Sequence, residues 1–227
     1  MKKIIVLLLC ALPLMAGAQN VWERPQDGKA QSTEKEARQK AKEEARKARE
    51  AEKRAQNAET AKYMRGNVPV VDGAVCWTRD VEAPGKSAQQ LYDIMYSTLV
   101  DLTRSEGQLE GSCVALVNKQ EHVVVANVRE WLVFSNSFLA LDRAKFHYTL
   151  IARCSDGRVS LTMERLSYRY EENNKMQTYK AEEWITDDAA VNKKNTRLFR
   201  GPGKFRRATI DRKDFLFKTI TEVVNKP

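Results

Sequence analysis

Histidine is almost missing from this 227-residue chain, which holds only His122 and His147. Nucleophilic catalysis needs a base, a group that orients it and an oxyanion hole. Cys113 follows Gly111-Ser112, so a Cys/His pair can be drawn, but no spacing supplies the remaining parts. The Gly-x-Ser-x-Gly elbow of hydrolases does not occur. Cysteine is sparse too: Cys10, Cys76, Cys113 and Cys154, the last three separated by 37 and 41 residues, which fits no zinc pattern. Long apolar runs are lacking after the first 18 residues, so no later segment is fit to span a membrane. These absences leave no expected catalytic residue, metal ligand or cofactor.

What is there begins with an export signal. Lys2 and Lys3 precede a compact apolar run, Ile4–Met15, and Ala16-Gly17-Ala18 offers small residues at both recognition positions. That is the plan of a secretory signal peptide, residues 1–18, cleaved after Ala18. The run falls short of the ~20 apolar residues of a retained anchor. Acylation at Cys10 fits poorly, because Leu7-Leu8-Leu9 stand where a small residue is needed. The expected address is the periplasm, the outer membrane or the exterior. With Cys10 removed, an odd three cysteines remain, which excludes a fully paired framework. One disulfide beside a free thiol and three buried thiols both stay open.

Charge is uneven. Residues 19–66 hold 13 basic and 9 acidic side chains, residues 67–192 hold 13 and 18, and residues 193–227 hold 11 and 3. An acidic body with a basic end suits an anionic partner, or two parts of one domain that neutralise each other.

Residues 19–29 read as a leader loop, with Pro25, Asp27 and Gly28. From Ala30 to Lys62 there is no Gly, no Pro and no large apolar residue. Alanines recur at steps of three and four, and Glu34–Arg38, Glu36–Lys40, Glu43–Lys47 and Glu50–Arg54 are i,i+4 pairs in the favourable order. The pattern predicts a charged helix over 30–64, about 45 Å long. Its seam is alanine only, so a solvated single helix is expected rather than a coiled-coil dimer. A chain starting near Gly66 is accordingly expected to keep its melting temperature.

The folded domain is expected over 70–227. Val71–Glu82 reads as a strand. Ser87, with Gln90 three residues on, opens a helix whose apolar face is Leu91, Ile94, Met95, Leu99 and Leu102. Strand-like stretches follow at Ser112–Asn118, His122–Phe134, Phe146–Ala152 and Val159–Tyr170, with a hairpin turn at Asp156-Gly157. The alternation slips near Glu164-Arg165, which predicts a bulge. Thr178–Ile185 reads as a further short strand. Asn192–Arg207 reads as a basic loop around Gly201-Pro202-Gly203, and Asp211 as the cap of a last helix. The expected fold is α+β: β-α-β(4)-α, one curved antiparallel sheet with helices on one face.

Three stretches carry a resemblance. Tyr179-Lys180-Ala181-Glu182-Glu183-Trp184-Ile185, Lys204-Phe205-Arg206-Arg207-Ala208-Thr209-Ile210-Asp211, and Gly85-Lys86-Ser87 leading into Leu91-Tyr92 are similar to a secreted bacterial family of unknown function with a TATA-binding-protein-like fold. The resemblance covers about residues 70–226 and leaves the charged helix outside. It implies an envelope address and lends no catalytic residue. A fold name implies nothing about DNA, because function lives in the site.

Carboxylate doublets stand at Glu171-Glu172, Glu182-Glu183 and Asp187-Asp188. Neighbours on a strand point to opposite faces, so a doublet makes no glycosidase pair by itself. Gly201-Pro202-Gly203-Lys204 lacks the spacing of a phosphate loop, and its proline removes an N–H. The basic segment is the one feature that suggests binding. Arg197, Arg200, Lys204, Arg206 and Arg207 cluster there, with Phe199 and Phe205 interleaved. The sequence thus predicts a monomeric exported envelope protein, a non-enzymatic binding or structural module on a helical spacer. Its expected partner is an envelope component or a hydrophobic ligand. The alternative is an anionic polymer (lipid phosphate, acidic glycan or extracellular DNA) held by those five basic residues, and a third class is a hydrolase.

Overall fold

A computed structural model describes residues 28–137, 140–172 and 174–226. The expected signal peptide, residues 1–18, and the leader segment up to residue 27 lie outside the described residues. The chain divides into two units, Met1–Arg54 and Ala55–Pro227. Helix α1 (Gly28–Ala61) takes up Gly28 and Lys29 of the expected leader loop and ends at Ala61, short of the expected residue 64. Its side chains from 38 to 52 are exposed. Glu43 pairs with Lys47 at 2.9 Å and Arg46 with Glu50 at 3.8 Å.

The second unit starts earlier than residue 70. Tyr63 and Val68 belong to the hydrophobic core, and the Tyr63 hydroxyl donates to Asp211 at 2.7 Å. A chain from Gly66 would lack this residue, so the structure argues for a lower stability than the sequence led one to expect. The turn that follows α1 carries an aromatic residue, Tyr63, that the alanine seam gave no sign of.

Strands β1 (Val70–Val71) and β2 (Ala74–Val75) form a small hairpin through Asp72 and Gly73, both at positive φ. The expected long strand is thus split, and only β3 (Trp77–Glu82) joins the main sheet. Helix α2 (Ala88–Arg104) has the predicted capping box: Gln90 N donates to Ser87 Oγ and Ser87 N to Gln90 Oε1. Strands β4 (Cys113–Asn118), β5 (Val123–Ser137), β6 (Ala140–Ser155), β7 (Arg158–Glu172) and β8 (Lys175–Lys180) follow. The order across the sheet is β3-β7-β6-β5-β4, all antiparallel, and β8 also pairs with β7. Arg165 sits at φ 56° where the β6–β7 register shifts, at the expected bulge.

The expected strand Thr178–Ile185 ends at Lys180. Helical turns α3 (Ala181–Trp184) and α4 (Asp187–Ala190) follow, because Ala181 is buried and Trp184 stacks on Tyr179 with centroids 4.1 Å apart. Helix α5 (Arg200–Val224) overturns two further expectations. The Gly-Pro-Gly stretch is its first turn, not a loop. Proline is tolerated there because first-turn N–H groups have no intrahelical partner. A Cβ on Gly203 would meet Leu198 Cβ at 2.6 Å, so this glycine serves close packing. Asp211 is in the middle of the helix rather than at its cap, and its carboxylate receives Lys62 and Tyr63.

The core lies on one face of the sheet. Val124, Ala126 and Val128 of β5, Phe146, Tyr148 and Leu150 of β6, and Leu161 and Met163 of β7 are buried there. Leu91, Met95 and Leu99 of α2 and Leu216, Phe217 and Ile220 of α5 pack with them. Because strand side chains alternate in direction, the residues between these point to the opposite face, where Arg129, Arg143, Lys145 and Arg169 are exposed.

Candidate functional site

The five basic residues predicted as an anion site do not converge. Arg197 precedes α5, and successive helical residues point about 100° apart, so Arg200, Lys204, Arg206 and Arg207 are dispersed around the helix. Arg206 is fully buried, and its guanidinium donates to the carbonyls of Tyr63, Met64 and Ile185 and to Asp187 Oδ1, each at 2.7 Å. Lys204 Nζ donates to Asp142 Oδ2 and the Tyr170 hydroxyl, both at 2.8 Å, and lies 4.3 Å from the Tyr170 ring centroid. These two are structural. Arg197, Arg200 and Arg207 are exposed. Arg212, further along, is spent on buried Glu130 through two 2.7 Å hydrogen bonds, and Tyr148 OH adds a third at 2.9 Å. Two of the acidic doublets serve the structure as well: Glu182 accepts from Val75 N, Asp187 from Gly66 N and Arg206, and Asp188 from Arg65.

The thiols and histidines do not assemble a nucleophile either. Cys76, Cys113 and Cys154 are all free. Cys113 stands opposite Asn127 on the sheet, and no hydrogen bond joins it to a histidine among the described residues. His122 sits edge-on to Tyr92, centroids 6.0 Å apart. Burial pushes the Cys154 thiol up to about 11.

The uncovered sheet face carries a different cluster. Register places Arg129, His147 and Ser167 directly opposite one another on β5, β6 and β7. The next row is Trp131, Lys145, Arg169 and Thr178 on β5 through β8. One row further, Arg143 lies over the Trp131 ring, 3.7 Å from its centroid. Arg129, Arg143, Lys145 and Arg169 are exposed, and none has a carboxylate partner among the described residues. Lys145 directly faces Arg169, a like-charge pair that costs stability on a sheet.

Two hollows that share Lys145 and Arg169 run along this face. One of about 530 Å³ is lined by Glu110, Arg129, His147, Ser167 and Thr178. The other, about 560 Å³, is lined by Trp131, Leu141, Arg143, Tyr170, Glu171 and Met176. Together they form a cationic trough with a few acidic and apolar groups on its walls.

Arg129 is held at the trough's wall by the loop before β4. Pairing of β4 stops at Asn127, and the loop takes over: Leu109 N donates to Arg129 O at 2.7 Å and Arg129 N to Ser112 Oγ at 2.8 Å. Gly111, at φ +88°, lets the guanidinium pass; a Cβ there would lie 2.3 Å from Arg129 Nη1. Arg129 Nη1 donates to the Glu110 carbonyl at 3.3 Å. His147 is half-buried beside it, and its Nε2 is buried without a hydrogen-bond partner. Burial, and then the Arg129 charge, hold the imidazole below its ordinary pKa, so it is neutral near pH 7.

Residues 77–169 match a family described as a domain of unknown function (DUF4468) with TBP-like fold. The crystal structure of a DUF4468 family protein from Bacteroides ovatus ATCC 8483 is 33% identical, with a TM-score of 0.68 over 74% of this chain and 96% of that one. The chain belongs to the DUF4468 family. A TBP-like protein from Parabacteroides distasonis ATCC 8503, 23% identical, covers 69% of this chain and 96% of its own, with a TM-score of 0.56. That likeness shows the fold alone, and it agrees with the expected α+β, TBP-like class. A search of the curated proteins gave no match. The stretch matched by DUF4468 holds Arg129, Trp131, Arg143, Lys145, His147, Ser167 and Arg169, whereas Arg197, Arg200 and Arg207 lie beyond it.

Sequence reading missed the trough because its cations are far apart in the chain. The available signal was positional: Arg129 and Trp131, Arg143, Lys145 and His147, then Ser167 and Arg169, each at alternate positions on successive strands.

Proposed function

We propose that this DUF4468 protein is an exported, non-enzymatic binding module whose open sheet face holds a small ligand with more than one negative charge. The export signal of residues 1–18 supports the address, and helix α1 serves as a solvated spacer. The observation that carries the reading is the unpaired set Arg129, Arg143, Lys145 and Arg169 on one uncovered face, with Lys145 and Arg169 opposed. Surface cations that merely solubilise a sheet are interspersed with acids; here like charges adjoin, and a bound anion relieves their repulsion.

The test is calorimetric titration of the chain starting at Gln19 with citrate and with pyrophosphate at two salt concentrations. Binding should weaken with salt, because exposed charges are screened. Replacing Lys145 and Arg169 together with glutamine should weaken binding about tenfold or more, given charge-assisted contacts, and leave the melting temperature unchanged or raised. Replacing Arg197, Arg200 and Arg207 with glutamine should leave binding intact. If that second variant loses binding and the first keeps it, the basic segment is the site instead.

A further inference from the structure

We propose that Arg129, His147 and Ser167 form a subsite for one phosphate monoester group at the inner end of the trough. This rests on the reading of the trough as an anion site. The three residues occupy one row across β5, β6 and β7, so His147 has a Cβ neighbour about 5 Å away on either side, and the long Arg129 side chain reaches toward the middle of the row. His147 Nε2 is cut off from solvent with no partner, and a buried polar atom without a partner calls for an explanation. The Ser167 hydroxyl has no hydrogen bond among the described residues and lines the same hollow. Arg129 is set in place before any ligand arrives, because Gly111 leaves room for its guanidinium.

Three donors on three strands ask for three acceptor oxygens on one group. A phosphate monoester has three terminal oxygens and nearly two negative charges near neutral pH. A carboxylate offers two oxygens in one plane. The charge also matches, since Lys145 and Arg169 lie one row away. The charged groups facing His147 are Arg129 on β5, Lys145 on its own strand, Arg169 on β7 and Glu110 before β4. Unlike Arg129, Lys145 and Arg169 the imidazole is neutral, so a dianion beside it favours the protonated ring, which turns to bring its buried Nε2–H to a phosphate oxygen. The bound state then takes up a proton at the ring, and binding of the dianion tightens as pH falls below about 7.5, until the monoester's own second ionisation near pH 6 opposes it.

The experiment follows both histidines by NMR in the full mature chain, titrated with inorganic phosphate and, separately, acetate. Phosphate should raise the His147 titration midpoint and leave His122 unmoved, and acetate at equal concentration should do neither. The variants His147→Gln and Ser167→Ala should each weaken phosphate binding about tenfold, the scale of one charge-assisted hydrogen bond, with melting temperatures checked alongside. His147→Gln should also remove the tightening, leaving only the loss of binding that the ligand's own second ionisation brings as pH falls. Glucose 1-phosphate and phosphatidate-containing vesicles then separate a soluble monoester from a lipid headgroup; binding of either supports the subsite. An unmoved His147 midpoint while citrate still binds through Lys145 and Arg169 overturns the subsite and spares the trough. No binding of citrate, pyrophosphate or phosphate overturns both.

Discussion

Arg206 and Asp187 form an ion pair of 2.7 Å in which the guanidinium is completely buried and the carboxylate is part-exposed. The remaining Arg206 donors go to backbone carbonyls at Tyr63, Met64 and Ile185. Burial lowers the Arg206 pKa from its ordinary value, and the bond to Asp187 opposes this. One side chain on α5 thus fastens the chain leaving α1 to the segment between α3 and α4.

Replacing Arg206 with glutamine strips buried carbonyls of their donors. The expected loss is about 3 kcal/mol of unfolding free energy, the scale of a broken buried pair. Arg197→Gln and Arg207→Gln should change stability by less than about 0.5 kcal/mol, as exposed substitutions do. Urea unfolding of the three variants checks the contrast, and equal effects would contradict the placement of Arg206.

Truncation tests where the domain begins. A chain starting at Ala55 should melt like the mature protein. A chain starting at Asn67 lacks Tyr63 and two acceptors of Arg206 and should melt markedly lower. Loss of the Tyr63 burial alone is worth about 1.5–3 kcal/mol. Thermal unfolding by circular dichroism distinguishes the two, and coincident curves would return the boundary to residue 70.

Gly111→Ala should destabilise by about 1 kcal/mol or more, because a side chain is strained at positive φ. Its Cβ would also fall 2.3 Å from Arg129 Nη1 and displace the guanidinium. Citrate binding should weaken, while Gly107→Ala, also at positive φ but with open space around it, should lower stability without touching binding. Paired melts and titrations of the two variants separate backbone strain from the loss of the Arg129 position.

Alkaline stability should follow Cys154. Its folded pKa is raised to about 11 from an ordinary 9.0 by burial. The folded state keeps the proton after the unfolded chain has released it, so stability is full below pH 9 and falls as pH rises toward 11. Tyr148 and Tyr168, raised by burial as well, extend the decline above pH 10. Urea midpoints between pH 8 and 10 should drop for the parent and flatten in Cys154→Ala; parallel slopes would remove Cys154 as the cause.

Local signals were legible wherever one residue decides one backbone state. The Ser87/Gln90 capping box, the Asp156-Gly157 hairpin and the bulge at Arg165 depend on near neighbours, and they stand where the sequence places them. Gly201-Pro202-Gly203 misled because the same residues suit a turn and a first helical turn; packing of Gly203 on Leu198 chose the helix.

By itself the sequence determined the α+β class, the charged helix, the succession of β3, α2, β4 to β7 and α5, and the apolar stripes of α2 and α5, because periodicity and turn chemistry are written in consecutive residues. Only the tertiary structure decided which charges are free. Arg206 and Lys204 look like a binding patch in the chain, yet long-range carbonyls and carboxylates consume them. Arg129, Lys145 and Arg169 look scattered, yet strand register aligns them on one face without carboxylate partners among the described residues. Pairing of side chains dozens of residues apart is set by register and helix docking, and neither is a property of any local stretch.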